Sequence, residues 1–146
     1  MRSRAESLIL IVDDDAGSRR IYTRALEAAG LCVMEAGTAG EAVQLALAVH
    51  PGVILMDLMT PGVTGLEAAR QLKADPRTAA IPIIAFTAAA AASLSRRALE
   101  SGFSAFVGKP CAPAELLLEV RRALDAGGCS AGDAARPAGS ESRPQD

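Results

Sequence analysis

The chain has 146 residues, half of them apolar and 22% charged, with a formal net charge of −2, which is the balance of one globular domain and not of a disordered or fibrous chain. No Lys/Arg cluster exceeds a pair, so the positive footprint of a direct nucleic-acid binder is missing. The longest nearly uncharged run, residues 78–94, is interrupted by Pro82, Thr87 and Ser93 and falls short of the roughly 20 apolar residues that span a bilayer.

In chain order, residues 1–7 read as an N-terminal extension. The apolar stretch behind them is too short for the core of a secretory leader, which leaves a cytoplasmic location as the expectation. Residues 8–12 are the first strand, and Asp15 suits the cap of a helix beginning near Ala16. Gly30 follows that helix where a left-handed residue is easiest for glycine. Strand-length apolar runs recur at residues 31–34, 53–56, 81–86 and 105–107. Thr38 with Glu41 and Thr64 with Glu67 are T-x-x-E capping boxes, so helices begin at both. His50, before Pro51, reads as a surface residue at a helix end, and Gly102 as the close of another helical segment. Pro113 suits the first turn of a last helix, on which Leu117, Val120 and Leu124 share one face up to a close near Ala126. Residues 127–146 carry no apolar periodicity and read as a disordered tail, too short and polar for an output domain. Strands alternating with helices imply an α/β unit with a doubly wound parallel sheet and right-handed crossovers. Cys32, Cys111 and Cys129 form no C-x-x-C pair and suggest neither a zinc site nor a disulfide framework.

The polar residues fall at strand ends. Asp13, Asp14 and Asp15 follow the first strand, Asp57 ends the third, Thr87 ends the fourth and Lys109 follows the fifth. In such a sheet these positions share the carboxyl edge, where ligands bind. Two or three close carboxylates repel one another unless a cation is present. Mg²⁺, which takes one or two carboxylates with waters and a phosphate oxygen, would resolve the conflict through Asp13, Asp14 and Asp57. Asp57 is placed to act as a nucleophile, and Lys109 and Thr87 to neutralise and hydrogen-bond phosphoryl oxygens. Taken singly, each of these residues could be a solvated loop residue or a helix cap; their joint placement carries the reading.

The stretches ILIVDDD at 9–15, VILMDLMTPGVTG at 53–65, FTA at 86–88 and GKP at 108–110 resemble the four signature segments of bacterial two-component response-regulator receiver domains, in the single-domain, chemotaxis-regulator-like form. The resemblance covers residues 8–126. It implies a flavodoxin-like five-stranded sheet of order 2-1-3-4-5 with helices on both faces. It also implies a phosphoryl group accepted on Asp57 from a histidine kinase or histidine phosphotransfer protein, in a signalling protein that acts on a downstream protein effector. Asp14, Asp57 and the Met59 backbone carbonyl would hold Mg²⁺, with Asp13 acting through water, while Thr87 and Lys109 would contact the phosphoryl oxygens. Thr87 and Phe106 fall at the family's switch positions. Thr60, Thr64 and Phe106 stand where the family often has Met, Asp and Tyr, and Phe106, lacking a hydroxyl, can report its state only through packing. Met59 and Ala89, two residues beyond Asp57 and Thr87, cannot orient a hydrolytic water well, which suggests a long-lived phosphorylated state.

The competing reading is an enzyme, a phosphohydrolase of the haloacid-dehalogenase type, whose D-x-D motif Asp13-x-Asp15 superficially matches. Gly17 stands where that family has Thr or Val, and the chain has no room for its cap insertion. Neither G-x-x-x-x-G-K-[ST] nor G-x-G-x-x-G occurs, so no nucleotide-binding loop is indicated. A receiver scaffold used only for docking should have lost part of its acidic set, which is intact here.

Overall fold

Five apolar segments pair side by side in the computed structural model, which describes residues 8–58, 64–88, 102–109 and 111–133. They are β1 (Leu8–Val12), β2 (Cys32–Ala36), β3 (Val53–Met56), β4 (Ile83–Ala88) and β5 (Ala105–Lys109). All four pairings are parallel and the order is β2-β1-β3-β4-β5, as expected from the resemblance. Four described helices join them: α1 (Ala16–Ala28), α2 (Ala39–Val49), α3 (Gly65–Ala74) and α4 (Pro113–Asp133).

The strands are apolar at successive positions because both faces of the sheet are covered. On one face Leu10, Val12, Ile54, Met56 and Ile83 pack with Ala39, Ala42, Leu66 and Leu72 of α2 and α3. On the other, Ile9, Ile11, Leu55 and Phe86 pack with Tyr22 and Leu26 of α1 and with Leu116 and Val120 of α4. Two-residue alternation therefore assigns each strand residue to a side, and that assignment continues into the residues just past the strand ends.

The helix caps follow the sequence signals. Asp15 accepts the Gly17 N–H at 3.0 Å, Thr38 Oγ1 the Glu41 N–H at 3.1 Å and Thr64 Oγ1 the Glu67 N–H at 3.1 Å. Glu41 reaches back to the N–H of Gly37, one residue ahead of its cap. Gly30 and Gly102 have φ of 93° and 98°, the left-handed conformation glycine adopts without cost. His50 caps α2 at φ 50°, exposed to solvent.

Several boundaries differ from the sequence expectation: β4 and β5 run two residues past Phe86 and Val107, to Ala88 and Lys109, so Lys109 lies within its strand instead of after it. β2 runs two residues past Met34, because pairing with β1 extends to Val12↔Ala36. β4 starts at Ile83 instead of Ile81: Ile81 donates its N–H to Thr78 within a turn, and Pro82 has no N–H to give. The last helix continues to Asp133, so residues 127–133, expected in a disordered tail, are helical. A helix once formed adds one bond per residue, and no proline stops it before Pro137. Residues 1–7 and 134–146 lie outside the described residues.

The start of α3 sits on the chain leaving β3. A Cβ at Gly65 would lie 2.5 Å from the Asp57 carbonyl oxygen and 2.9 Å from Leu58 Cα. Helix propensity alone predicts that Gly65→Ala stabilises by up to about 1 kcal/mol. The contact predicts the opposite sign, a loss of about 1–3 kcal/mol from overpacking, measurable as a lower urea midpoint with shifted Asp57 and Leu58 amide resonances; an unchanged or higher midpoint contradicts it.

Candidate functional site

β1 and β3 lie side by side with Val12 opposite Met56, so the residues that follow, Asp13 and Asp57, leave the sheet at the same level. Asp57 donates its N–H to Val12 O at 3.0 Å, and Asp13 donates its own to Ala36 O at 3.1 Å, so both backbones are still held by the sheet. By alternation Asp13 follows Ile9 and Ile11, Asp57 follows Val53 and Leu55, and Lys109 follows Ala105 and Val107, which puts all three on the α1/α4 side. The two carboxylate residues are buried, at 1% and 7% exposure, whereas Asp14 is exposed.

Lys109 reaches across the edge of the sheet to both acids. Its Nζ donates to Asp13 Oδ2 and lies 3.4 Å from Asp57 Oδ2. Burial works against the ammonium charge, but the hydrogen bond to Asp13 and the attraction of Asp57 and Asp13 outweigh it, so the Lys109 pKa is raised above the ordinary 10.5. Asp13 is fixed on every side: its Oδ1 accepts the Asp15 N–H at 2.9 Å, and its carbonyl accepts from the Arg19 guanidinium. Arg19 is in turn held by Glu35 of β2 at 2.7 Å.

Carboxylate oxygens of Asp13, Asp14 and Asp57 lie within 4.8 Å of one another. Hard oxygen donors at this spacing fit a small divalent cation, and Mg²⁺ suits a site that supplies few carboxylates and leaves positions for water and phosphate. The structure thus brings together Asp13, Asp14, Asp57 and Lys109. Thr87 lies in β4, one residue from its end and opposite Gly108, but its side chain, like Met59 and Ala89, lies outside the described atoms. Phe106 is half-buried and packs with the other cluster, on the α2/α3 face.

Two aromatic residues near Lys109 were not signalled as site residues by the sequence. The Lys109 Nζ stands 4.9 Å from the Phe86 ring centroid, and Tyr22 meets Phe86 edge-on, with centroids 4.8 Å apart and planes at 88°. The only available sign was that Tyr22 is the sole tyrosine of the chain and that Phe86 precedes Thr87.

Residues 9–121 match the family described as the response regulator receiver domain. The chain belongs to that family. The receiver is 40% identical over 116 residues to the phosphate regulon transcriptional regulatory protein PhoB of Pseudomonas aeruginosa, covering 80% of this chain but only 51%, about half, of PhoB. It is 35% identical over 102 residues to the polar-differentiation response regulator DivK of Brucella ovis, covering 70% of this chain and 83% of DivK. Among solved structures it resembles the receiver domain of the sensor histidine kinase PA1611 from Pseudomonas aeruginosa, which has a magnesium ion coordinated in its active-site cleft. That likeness has a TM-score of 0.76 and 28% identity, and covers 82% of this chain and 98% of that one. Receivers are signalling modules that work with histidine kinases and downstream effectors, and PhoB and DivK are regulators. Among the described residues no helix is long and apolar enough to cross a membrane.

The raised Lys109 pKa has a consequence for stability. Its folded value exceeds the unfolded one, so the stabilisation it gives is complete below 10.5 and is lost as pH rises through the raised value. In metal-free buffer, Lys109→Met should therefore unfold at lower urea than the parent by about 1–3 kcal/mol at neutral pH, with the gap closing in strong alkali. A gap that is absent at neutral pH, or that widens in alkali, contradicts this.

Proposed function

We propose that this receiver accepts a phosphoryl group on Asp57 from a histidine kinase or histidine phosphotransfer protein and signals through a changed surface to a protein effector. The observation that carries the reading is the meeting of Asp13, Asp14 and Asp57 within 4.8 Å, with Lys109 bonded to Asp13 and close to Asp57. Asp57 Oδ attacks phosphorus as the donor's N–P bond breaks; the O–P bond of an acyl phosphate forms, and the leaving imidazole keeps the electron pair. Sheet pairing holds the Asp57 backbone, so the carboxylate is positioned before the donor arrives. Lys109 and Thr87 would meet the charge on the equatorial oxygens. Asp14, Asp57 and the Met59 carbonyl would hold Mg²⁺, with Asp13 acting through water, and the ion would supply charge neutralisation at the phosphoryl oxygens.

The reading places the protein in the cytoplasm. It also makes the receiver itself the signalling unit. Incubation of the chain with a small phosphodonor and Mg²⁺ should add one phosphate on Asp57, detected by mass spectrometry. Asp57→Ala and metal chelation should each remove it, and uptake by Asp57→Ala at the parent rate sinks the assignment.

Output on this reading runs through Thr87 and Phe106. The hydroxyl moves toward the phosphate and the ring fills the space it leaves, biasing two conformations that a partner distinguishes. Phe106 borders a groove of about 390 Å³ lined also by Val107, Cys111, Glu115 and half-exposed Leu118, which supports a readout surface around residues 91–126. Amide shifts recorded with and without a phosphate mimic should change there; changes confined to the loops at the phosphate contradict this route.

A further inference from the structure

We infer that Tyr22 and Phe86 are positioning residues for Lys109, forming an aromatic brace between the phosphoryl-acceptor site and the turn that leads into α4. The inference rests on the role proposed above for Lys109. An ammonium on a flexible four-carbon stem has many rotamers, and phosphoryl transfer needs it at one place. Beside its bond to Asp13 and its approach to Asp57, two further features restrict it. Its Nζ lies over the face of Phe86, where the ring quadrupole attracts a cation, and that attraction strengthens where water is excluded. Phe86 is 1% exposed, and the Lys109 side chain only 15%.

Phe86 is in turn fixed by Tyr22. The 88° angle between their planes and the 4.8 Å centroid separation are the edge-to-face arrangement that aromatic pairs favour. The Tyr22 hydroxyl then crosses to the chain just beyond Lys109: it donates to the Cys111 carbonyl at 3.2 Å and accepts the Cys111 N–H at 3.5 Å. One side chain from α1 thus holds both the ring beneath the ammonium and the backbone two residues after it. Hydrophobic packing alone would need the rings at these positions but not the hydroxyl, nor an ammonium over a ring face.

The test uses the full chain with Phe86→Leu, which removes the ring, and Tyr22→Phe, which keeps the edge contact but removes both hydrogen bonds. Three quantities are read: the ring-current shift of the Lys109 Cε protons, Mg²⁺ affinity, and the rate of phosphate uptake from a small phosphodonor per folded molecule. In the parent the Lys109 protons should resonate upfield of the other lysines, and Phe86→Leu should abolish this. Phe86→Leu should slow uptake about three- to thirtyfold, Tyr22→Phe should slow it less, and Mg²⁺ affinity should not fall in either. Lys109 protons without an upfield shift in the parent, or parent-rate uptake in Phe86→Leu, overturn the brace. So does a parallel loss of Mg²⁺ affinity and uptake, the sign of general damage. A parent that takes no phosphate on Asp57 defeats the functional reading instead, and the ring-current shift then decides the brace on its own.

Discussion

Two buried carboxylates and one ammonium, brought from three different strands to one edge of a parallel sheet, are the constraint around which the rest of this structure is arranged. Taking an ion out of water costs several kcal/mol even after relaxation. Asp13 and Asp57 are tolerated in the interior because Lys109 is held against Asp13 and beside Asp57, and because sheet and turn N–H groups satisfy the surrounding polar atoms. With Asp14 included, three carboxylates and one ammonium meet among the described residues, a cluster of net negative charge. That residual charge matches a divalent cation and explains why a group of this kind can be a binding site instead of a defect.

The fold supplies the positions without any long-range adjustment. Parallel pairing sets Asp13 and Asp57 level, and the two-residue alternation of β1, β3 and β5 turns both acids and Lys109 to the same side. The small residues packed on the other face, Ala39, Ala42 and Ala46 of α2, let that helix lie close to the sheet. Gly65 does the same at the start of α3, directly behind Asp57. Asp57 therefore rests on a closely packed platform, and on the proposed reading the freedom a switch needs comes from elsewhere in the chain.

Much of this was legible in the sequence because the signals are local. The five apolar runs, the Thr38 and Thr64 caps and the polar residues at strand ends each depend on neighbours a few residues away; they pointed to a parallel α/β sheet with Asp13, Asp14, Asp57 and Lys109 at one edge, while the strand order came from the resemblance to receivers. The extent of β2 was not legible, since it is set by pairing with β1, and neither was the continuation of α4 through a glycine- and serine-containing stretch. Tyr22 escaped notice for a similar reason. On α1 it looks like one more residue of an amphipathic helix, and its partner Cys111 is 89 residues away. Arg19 was missed likewise, because its support of Asp13 runs through a backbone carbonyl that no motif reveals.

A structure of the chain with Mg²⁺ and a beryllofluoride phosphate mimic tests the central claim most directly, because it asks which atom of the site meets the phosphoryl group and what becomes of the Lys109 ammonium. The account predicts the mimic on an Asp57 carboxylate oxygen, the metal among Asp13, Asp14 and Asp57, and Lys109 Nζ turned from Asp13 toward the mimic. A mimic seated on any other carboxylate, or an Asp57 adduct that leaves Lys109 bonded only to Asp13, would contradict it.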